Sequence, residues 1–369
     1  MPSLDTSPSW PGSKISTVCV IIPTYNRDDL LASCLDCLKK QSFQSFQIVV
    51  VDNSPRDSMP AFLKEFDNLQ WIPLFRNQGT AGAFNRGLEE CKASPYAVLL
   101  NNDVELENDC LARLVETLDA DPNYSIAVPK LLLWSDSRFL DGAGDDILLS
   151  GGAYRVGRGQ LDFGQYETPE PVFSACATAT LYRRSLFDDI GGFDEDFFAY
   201  HEDVDLCLRA QLRGYRCIFV PKARGKHRGS ATLGATFHPW IIRLCTRNHV
   251  LMILKNYPLF LLFRLAPRLL VFQILWLGLA IRKHVFHAWC KGLIESLFLL
   301  PKALAKRRDI QSKRLLSDAN LLAKLQESEK RIWRWHSSAH NPRPSKMLTL
   351  YFRIFGCPRA PEDLLSQIR

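Results

Sequence analysis

The sequence predicts an α/β fold: a parallel sheet flanked by helices through residue 240, followed by a basic helical region. Two patterns carry that expectation. Short apolar runs recur at the length of strands buried on both faces, with amphipathic helical patterns between them. Strands and helices that alternate in this way assemble into parallel sheets with right-handed crossovers. The third observation is charge. From Ile241 onward the chain carries 23 Lys and Arg against 7 Asp and Glu, a net of +16. The first 240 residues hold 23 basic and 32 acidic side chains, a net of −9. An acidic front joined to a basic tail points to two parts with different partners.

Residues 1–15 are rich in Pro and Ser and read as a flexible tail. Val18 to Ile22 is the first buried-type strand. Leu30, Leu31, Cys34, Leu35 and Leu38 then recur on one helical face. A second run, Ile48 to Val51, ends at Asp52. A third, around Trp71 and Ile72, meets a polar, Gly-rich turn. A fourth, Tyr96 to Leu100, runs into Asn101-Asn102-Asp103. Ligands of such sheets sit at the carboxyl ends of the strands. Thr24-Tyr25-Asn26-Arg27, Asp52-Asn53 and Asn101-Asn102-Asp103 are therefore expected to converge on one edge. Residues 135–172 are Gly-rich and polar, suited to loops and short strands. Asp194 to Arg213 reads as a loop entering a helix, and Lys222 to His238 is again polar and small. From Trp240 long apolar stretches studded with Arg and Lys begin. A boundary near 240 thus divides a domain of residues 16–240 from a helical region of residues 241–369.

The chain is 47 % hydrophobic and 11 % aromatic, which excludes collagen-like, low-complexity and wholly disordered classes. Eleven cysteines without metal spacing read as a reducing compartment rather than a disulfide framework. Cys34 and Cys37 fall inside a helical pattern and read as packing. No basic segment with an apolar run opens the chain, so the catalytic part is expected in the cytoplasm.

Asp103, at a strand's carboxyl end, suits a hard cation bridging two phosphates, and equally a turn or helix cap. Gly191 to Asp205 packs carboxylates and a histidine among aromatic rings. Such carboxylates are candidates for general-base work, and Glu202, Asp203 and Asp205 would also favour the positive end of the following helix. His227, flanked by Lys226 and Arg228, reads as a surface residue. Gly79 to Gly87 suits either a phosphate cradle or a tight helix–sheet joint, and it lacks the Lys of a P-loop.

Pro23 to Arg27, Val50 to Ser54, Asn77 to Gly82 with Asn85-Arg86-Gly87, Asn101 to Asp103, Gly191 to Asp194 and His201 to Leu206 occur in this order. Together they resemble a family 2 glycosyltransferase of the GT-A fold, particularly its bacterial rhamnosyltransferase-like branch. Asp141-Gly-Ala-Gly144 and His227 to Thr232 are similar to that branch, as are Trp240 and Arg247-Asn248, to which no role attaches. The resemblance implies a Rossmann-like, mixed but mainly parallel sheet flanked by helices. It implies that Thr24, Tyr25 and Asp52 hold the nucleotide base, with Tyr25 stacking. Arg27, Asn77, Asn85, Arg86 and Asn102 would border the rest of the nucleotide diphosphate. Asp103 would bind a divalent cation, Mg²⁺ or Mn²⁺, with His227 as its second protein ligand. Asp203, beside Glu202, would be the base that deprotonates the acceptor hydroxyl for inversion at the anomeric carbon. The commoner Asp-x-Asp is here Asn101-Asn102-Asp103, which leaves one carboxylate for the cation.

Leu259 to Ile281 is long enough to span a bilayer, yet it holds Arg264, Pro267, Arg268 and Gln273. Each central Arg costs about 2.5–3.5 kcal/mol on insertion scales. A second run, Leu293 to Leu300, leads into Lys302, Lys306, Arg307 and Arg308. With Trp276 and Trp289, these segments suit helices docked on an anionic membrane, peripheral on its cytoplasmic face, with a true span or a soluble helical cap as the alternatives. No nucleic-acid reader motif accompanies the charge.

The expected function is inverting transfer of a sugar, rhamnose by resemblance, from a nucleotide-diphosphate donor. The donor would be dTDP-rhamnose or a UDP-sugar, and the acceptor a hydroxyl of a glycan or polyprenyl-linked molecule in cell-surface polysaccharide synthesis. The alternative is a non-catalytic nucleotide-sugar-binding or scaffold protein, which has no need of both Asp103 and the Glu202-Asp203 pair. A nucleotidyltransferase would want a basic Gly-rich loop where this chain has Thr24 to Arg27.

Overall fold

The computed structural model describes residues 16–229, 237–338, 341 and 344–357. The expected tail at 1–15 and the Ser230–Thr232 end of one motif lie outside the described residues. Strands β1 (Val18–Thr24), β2 (Phe46–Asp52), β3 (Leu69–Pro73) and β4 (Tyr96–Leu100) pair in parallel in the order β3-β2-β1-β4. Next along the chain come β5 (Val104–Leu106), β6 (Ile126–Leu133) and β7 (Leu140–Gly142). A separate hairpin follows, of β8 (Asp145–Ile147) and β9 (Ala153–Arg155). The sheet is completed by β10 (Glu170–Val172), β11 (Ala179–Arg183) and β12 (Cys217–His227). β11 is antiparallel to β4 and β6, whereas β12 is parallel to β6, so the sheet is mixed around a parallel half.

Val18 to Ile22 are wholly buried because alternate residues serve two cores. Val18, Val20 and Ile22 pack with α1 (Asp28–Lys39), while Cys19 and Ile21 pack with α2 (Gly79–Glu90) on the other face. The buried face of α1 is Leu30, Leu31, Cys34, Leu35 and Leu38, the five residues expected from the sequence. Gly87 lets α2 lie directly on β1, since a Cβ there would fall 2.2 Å from Ile21 Cγ2. Gly79 to Gly87 is in this respect a packing joint. The same approach brings Cys19 against Cys91, and the two are disulfide-bonded. That pair departs from the reducing-compartment reading of the cysteines: 72 residues separate its members, and the α2–β1 packing unites them.

Helices α3 (Cys110–Ala120), α4 (Arg184–Ile190) and α5 (Glu202–Leu212) complete the first part. Then follow α6 (Pro239–Asn256), α7 (Leu259–Arg282), α8 (Phe286–Ser312), α9 (Asp318–Ser337) and α10 (Lys346–Phe355). The expected boundary at 240 coincides with the start of α6 but does not separate two cores. Phe197, Val204, Leu208 and Leu212 form one cluster with Leu251, Met252, Tyr257, Leu261 and Leu325. The C-terminal helices therefore close a side of the α/β unit. Trp276 and Trp289, expected at a membrane interface, pack half-buried beside Ile242, Ala280 and Ala288, and Trp276 Nε1 donates to Thr246 Oγ1 at 2.9 Å.

Candidate active site

β1 and β2 run in register with Thr24 opposite Asp52, so their polar carboxyl ends emerge together. Asn53 N donates to Thr24 O at 2.8 Å, and Asn102 Nδ2 donates to Thr24 Oγ1 at 2.9 Å. The three strand-end clusters expected to meet are in contact. Tyr25 stands beside them and is 39 % exposed. Asp52 is buried and largely engaged: Oδ1 accepts from Ser54 N at 2.9 Å, and Oδ2 accepts from Trp71 Nε1 at 3.2 Å and faces Arg56 Nε at 3.1 Å. Asn77 Oδ1 accepts from Gly79 N at 2.9 Å and opens α2. Arg27 holds Asp29 through two bonds, at 2.9 and 2.7 Å, and lies within electrostatic reach of Asp103.

Asn85 and Arg86 are the two residues on α2 expected to border the nucleotide. They lie about two turns along α2 from its first residue. Asn85 Nδ2 donates to Phe193 O and Glu195 Oε1, both at 2.9 Å, and its Oδ1 accepts from Phe193 N at 2.7 Å. Its side chain fastens the Gly191–Asp194 turn, and Gly192 is required there because a Cβ would fall 2.3 Å from Asn85 Oδ1. Arg86 pairs along the helix surface with Glu89 and Glu90.

Asp103 and His227 are brought together by β5, whose antiparallel pairing sets Val104 opposite His227. Asp103 Oδ1 lies 3.4 Å from His227 Nε2. His227 is not the surface residue its neighbours suggested; it is 8 % exposed, because alternation along β12 turns Lys226 and Arg228 outward and His227 inward. Its Nδ1 lies 2.8 Å from Asp141 Oδ2. Burial disfavours the imidazolium, yet hydrogen bonds to Asp103 and Asp141 hold the pKa above the usual histidine value. Burial would raise Asp141, but the Arg155 charge and the bond to His227 hold it well below the carboxylate range. One carboxylate and one imidazole converging at this distance fit a single divalent cation. A second carboxylate on the far nitrogen, fixing the ring, is the arrangement expected of a ligating histidine.

From Asp141 the polar chain continues. Arg155 Nη1 bonds Asp141 Oδ2 at 2.6 Å, Nη2 bonds Thr178 Oγ1 at 3.3 Å and Cys176 Sγ, and Nε lies 3.5 Å from Asp145 Oδ1. Oxygens of Asp145 and Asp203 and the Cys176 sulfur lie within 4.8 Å of one another, so Arg155 supplies the positive charge for this group. Burial foremost, offset in part by Arg155, pushes Asp145 up to about 7. The turn before β11 also ties the two halves of the site. Asn101 N donates to Thr178 O at 2.9 Å, and Ala177 N donates to Asp203 Oδ2 at 3.3 Å. Asp203 Oδ1 accepts from Val204 N at 2.8 Å in the first turn of α5. Glu202 behaves differently from its neighbour. It is buried, its Oε2 has no partner, and burial, then the Asp203 charge, raise its pKa well above normal. Asp203, by contrast, is only half-buried and accepts from two backbone N–H groups, which makes it the better placed of the two carboxylates to accept a proton. Arg155, Asp145 and Cys176 were missed in the sequence; only Asp141-Gly-Ala-Gly144 hinted at this region. Gly142 is small because a Cβ there would sit 2.5 Å from Arg155 Cδ.

Residues 19–191 match the profile of the family described as Glycosyl transferase family 2. The chain is 28 % identical over 232 residues to the O-antigen biosynthesis protein RfbC of Myxococcus xanthus, covering 60 % of this chain and 18 % of that protein. It is 23 % identical over 224 residues to the poly-beta-1,6-N-acetyl-D-glucosamine synthase of Staphylococcus aureus (strain MSSA476), covering 60 % and 52 %. It therefore spans only part of either relative. Among solved structures, GalNAc-T7 with UDP, GalNAc and Mn²⁺ aligns with a TM-score of 0.56 and 15 % identity, over 72 % of this chain and 52 % of that one. S. aureus TarS aligns with a TM-score of 0.50 and 18 % identity, over 84 % and 55 %. The likeness is one of fold, and that fold is GT-A, as the motifs implied.

Proposed function

We propose, because residues 19–191 match the profile of glycosyl transferase family 2, that this chain transfers a sugar from a nucleotide-diphosphate donor to an acceptor hydroxyl, with inversion. One observation carries the reading. The Asp103–His227 pair and Asp203 are joined through one turn, which bonds Asn101 at Thr178 and Asp203 at Ala177. Tyr25 offers the open ring on which a base stacks, and Thr24, Asp52 and Asn102 border it. Arg27 and Asn77 flank the path toward Asp103. Asp103 and His227 hold the divalent cation, Mg²⁺ or Mn²⁺, with Asp141 fixing the imidazole. When bound, the cation supplies positive charge that stabilises the departing diphosphate. Asp203, held by two backbone N–H groups, accepts the proton of the attacking hydroxyl. One carboxylate suffices, since the nucleotide diphosphate leaves as a stable anion and needs no acid partner of the glycosidase kind.

The motif resemblance favours dTDP-rhamnose over UDP-hexoses as donor. The names of the two curated relatives support a role in cell-surface polysaccharide synthesis, with a glycan or polyprenyl-linked acceptor. An acceptor of that kind suits a protein docked on the cytoplasmic face of an anionic membrane.

Release of nucleoside diphosphate from a panel of nucleotide sugars, with washed membranes as acceptor source, tests the reading. Asp203→Asn is expected to lower turnover by about 10²–10⁴-fold, as loss of a general base does, while thermal stabilisation by dTDP or UDP with Mn²⁺ is kept. Full activity in that variant would remove Asp203 from the role. A parent stabilised by nucleotide sugar that neither transfers nor hydrolyses it would favour the scaffold alternative.

A further inference from the structure

Trp240 and Arg247-Asn248 gained no role from the sequence, and the transfer chemistry above leaves them unused. In the structure all three side chains meet one short segment, Phe197 to His201, that leads into Asp203. They recur at seven and eight residues along α6 and so share a helix face.

The segment is strained. Phe198 has φ 65° and ψ −63°, and Ala199 N donates to Phe197 O at 2.7 Å, which together form the rarer, strained kind of γ-turn. Tyr200 at φ 67° and His201 at φ 66° follow, so three of four consecutive residues sit at positive φ and none is glycine. Conformations of this kind cost on the order of 1–3 kcal/mol each and persist only where the surroundings over-determine them.

Those surroundings come from α6. Asn248 is wholly buried and donates its amide to the carbonyls of Phe197, Ala199 and Tyr200 at 3.0, 2.9 and 2.7 Å. Arg247 Nη2 donates to Asp196 O at 2.9 Å and Phe197 O at 2.8 Å. Its Nε donates to Asn248 Oδ1 at 2.8 Å, which orients the amide. Trp240 meets Phe198 and Tyr200 edge-on, with centroids 5.7 and 6.1 Å away. On the opposite side, Ala81 N donates to Phe198 O at 3.2 Å, and Gly79 is obligatory because a Cβ would fall 2.2 Å from that oxygen. His201 in turn caps α5, its carbonyl accepting from Asp205 N at 2.8 Å. The left-handed His201 decides where the first turn of α5 begins, and hence where Asp203 projects.

We infer that Asn248, supported by Arg247 and Trp240, is a positioning residue for the base: α6 holds the strained turn that aims Asp203 at the acceptor hydroxyl. The inference rests on the transfer reading above. It makes the C-terminal region a working part of the catalytic centre.

The test uses the full chain and the nucleoside-diphosphate release assay. Asn248→Ala is expected to lower kcat about 100-fold, the cost of a displacement of about 1 Å at a reacting group. KM for the donor, and thermal stabilisation by dTDP or UDP with Mn²⁺, should stay within about threefold, because the strand-end contacts are untouched. Asn248→Asp keeps the size and the bond from Arg247 but faces three carbonyls with acceptor oxygens, and the same loss is expected. If both variants fail to fold, Arg247→Lys, which keeps the charge and loses the fork, is read in their place. A kcat close to that of the parent would overturn the inference. So would equal losses of kcat and nucleotide affinity, the result of a merely structural role. A parent that binds nucleotide but releases no diphosphate from any donor would overturn the transfer reading and this inference with it.

Discussion

Two histidines near the site have their pKa values lowered by their surroundings, which predicts a loss of stability in acid. Burial lowers His249 to about 3, and burial lowers His201 to about 4 against a small opposing pull from Asp203. The rings meet at right angles, with centroids 6.0 Å apart. His249 lies stacked on Phe272 and bonds Ser150 O and Gln273. The unfolded chain binds a proton at each position below its ordinary value near 6.5, and the folded chain does not until the lowered value is reached. Stability contributed by these two groups therefore falls as pH drops from about 6.5 toward 4. Asp145, raised to about 7, acts in the opposite sense, gaining a proton in the folded state first. His249→Gln isolates one group, since an amide can still donate to Ser150 O and accept from Gln273 without titrating. Melting temperatures of parent and variant should converge or cross as pH falls from 7 to 4. Curves that stay parallel would show that His249 does not contribute to the acid limb.

At the scale of elements, Arg155 on β9 joins the proposed cation ligands to the group around the proposed base, and Gly142 on β7 makes room for it. Gly142→Ala would place a methyl 2.5 Å from Arg155 Cγ and Cδ, and the guanidinium is too fully bonded to move away freely. Overpacking of this kind costs about 1–3 kcal/mol. The displaced Arg155 would also release Asp141, and with it the orientation of His227. The variant should therefore need more Mn²⁺ for half-maximal stabilisation by dTDP or UDP; an unchanged Mn²⁺ requirement would disconnect Arg155 from the cation ligands. This coupling also shows which elements a sequence reveals. β1, α1, β2 and β4 were legible because their apolar patterns are local and their polar ends carry the motifs. β12 was not, since Lys222, Arg224 and Lys226 look like a loop until β6, more than 80 residues earlier, supplies a partner. That is why His227 read as exposed although its role as a ligand was implied. Arg155 had no motif at all, and its importance comes entirely from where a hairpin delivers it. Asn85 and Arg86 show what a motif leaves out: it does not tell that Asn85 fastens the Gly191–Asp194 turn or that Arg86 pairs with Glu89 and Glu90.

At the scale of the molecule, the opposed charges of the two halves partly face each other. Lys255 bonds Asp194 and, at 2.9 Å, Asp205; Lys306 bonds Asp194 and, at 2.7 Å, Asp196. Lys302 reaches Asp196 at 3.3 Å, and Arg331 bonds Asp146 at 2.6 Å. Arg307, also expected at the membrane, instead donates to the carbonyls of Leu254 and Tyr257. What remains for a lipid surface is narrower than the sequence suggested, and better defined. α7 buries Leu261, Leu265, Phe272 and Ala280 and exposes Phe260, Phe263, Leu270, Ile274 and Ile281 at helical spacing. α8 exposes Ile294, Leu297 and Phe298, and Arg264, Arg282, Lys283, Lys291 and Arg308 stand exposed around these stripes. α7 is the one helix among the described residues long and apolar enough to cross a membrane, with a mean hydropathy of 1.7. Crossing would withdraw Leu261 and Leu265 from the cluster they share with Tyr257 and Leu325, whereas lying in the interface keeps it. The chain should therefore sediment with vesicles containing phosphatidylglycerol more than with pure phosphatidylcholine, and salt should weaken that binding. Phe263→Glu with Phe298→Glu removes two exposed rings, each worth about 1.5–3 kcal/mol when buried, so vesicle affinity should fall at least about tenfold. Binding that is indifferent to both lipid charge and these substitutions would rule out docking by this face, and binding that resists alkali as well as salt would mean that α7 spans the bilayer.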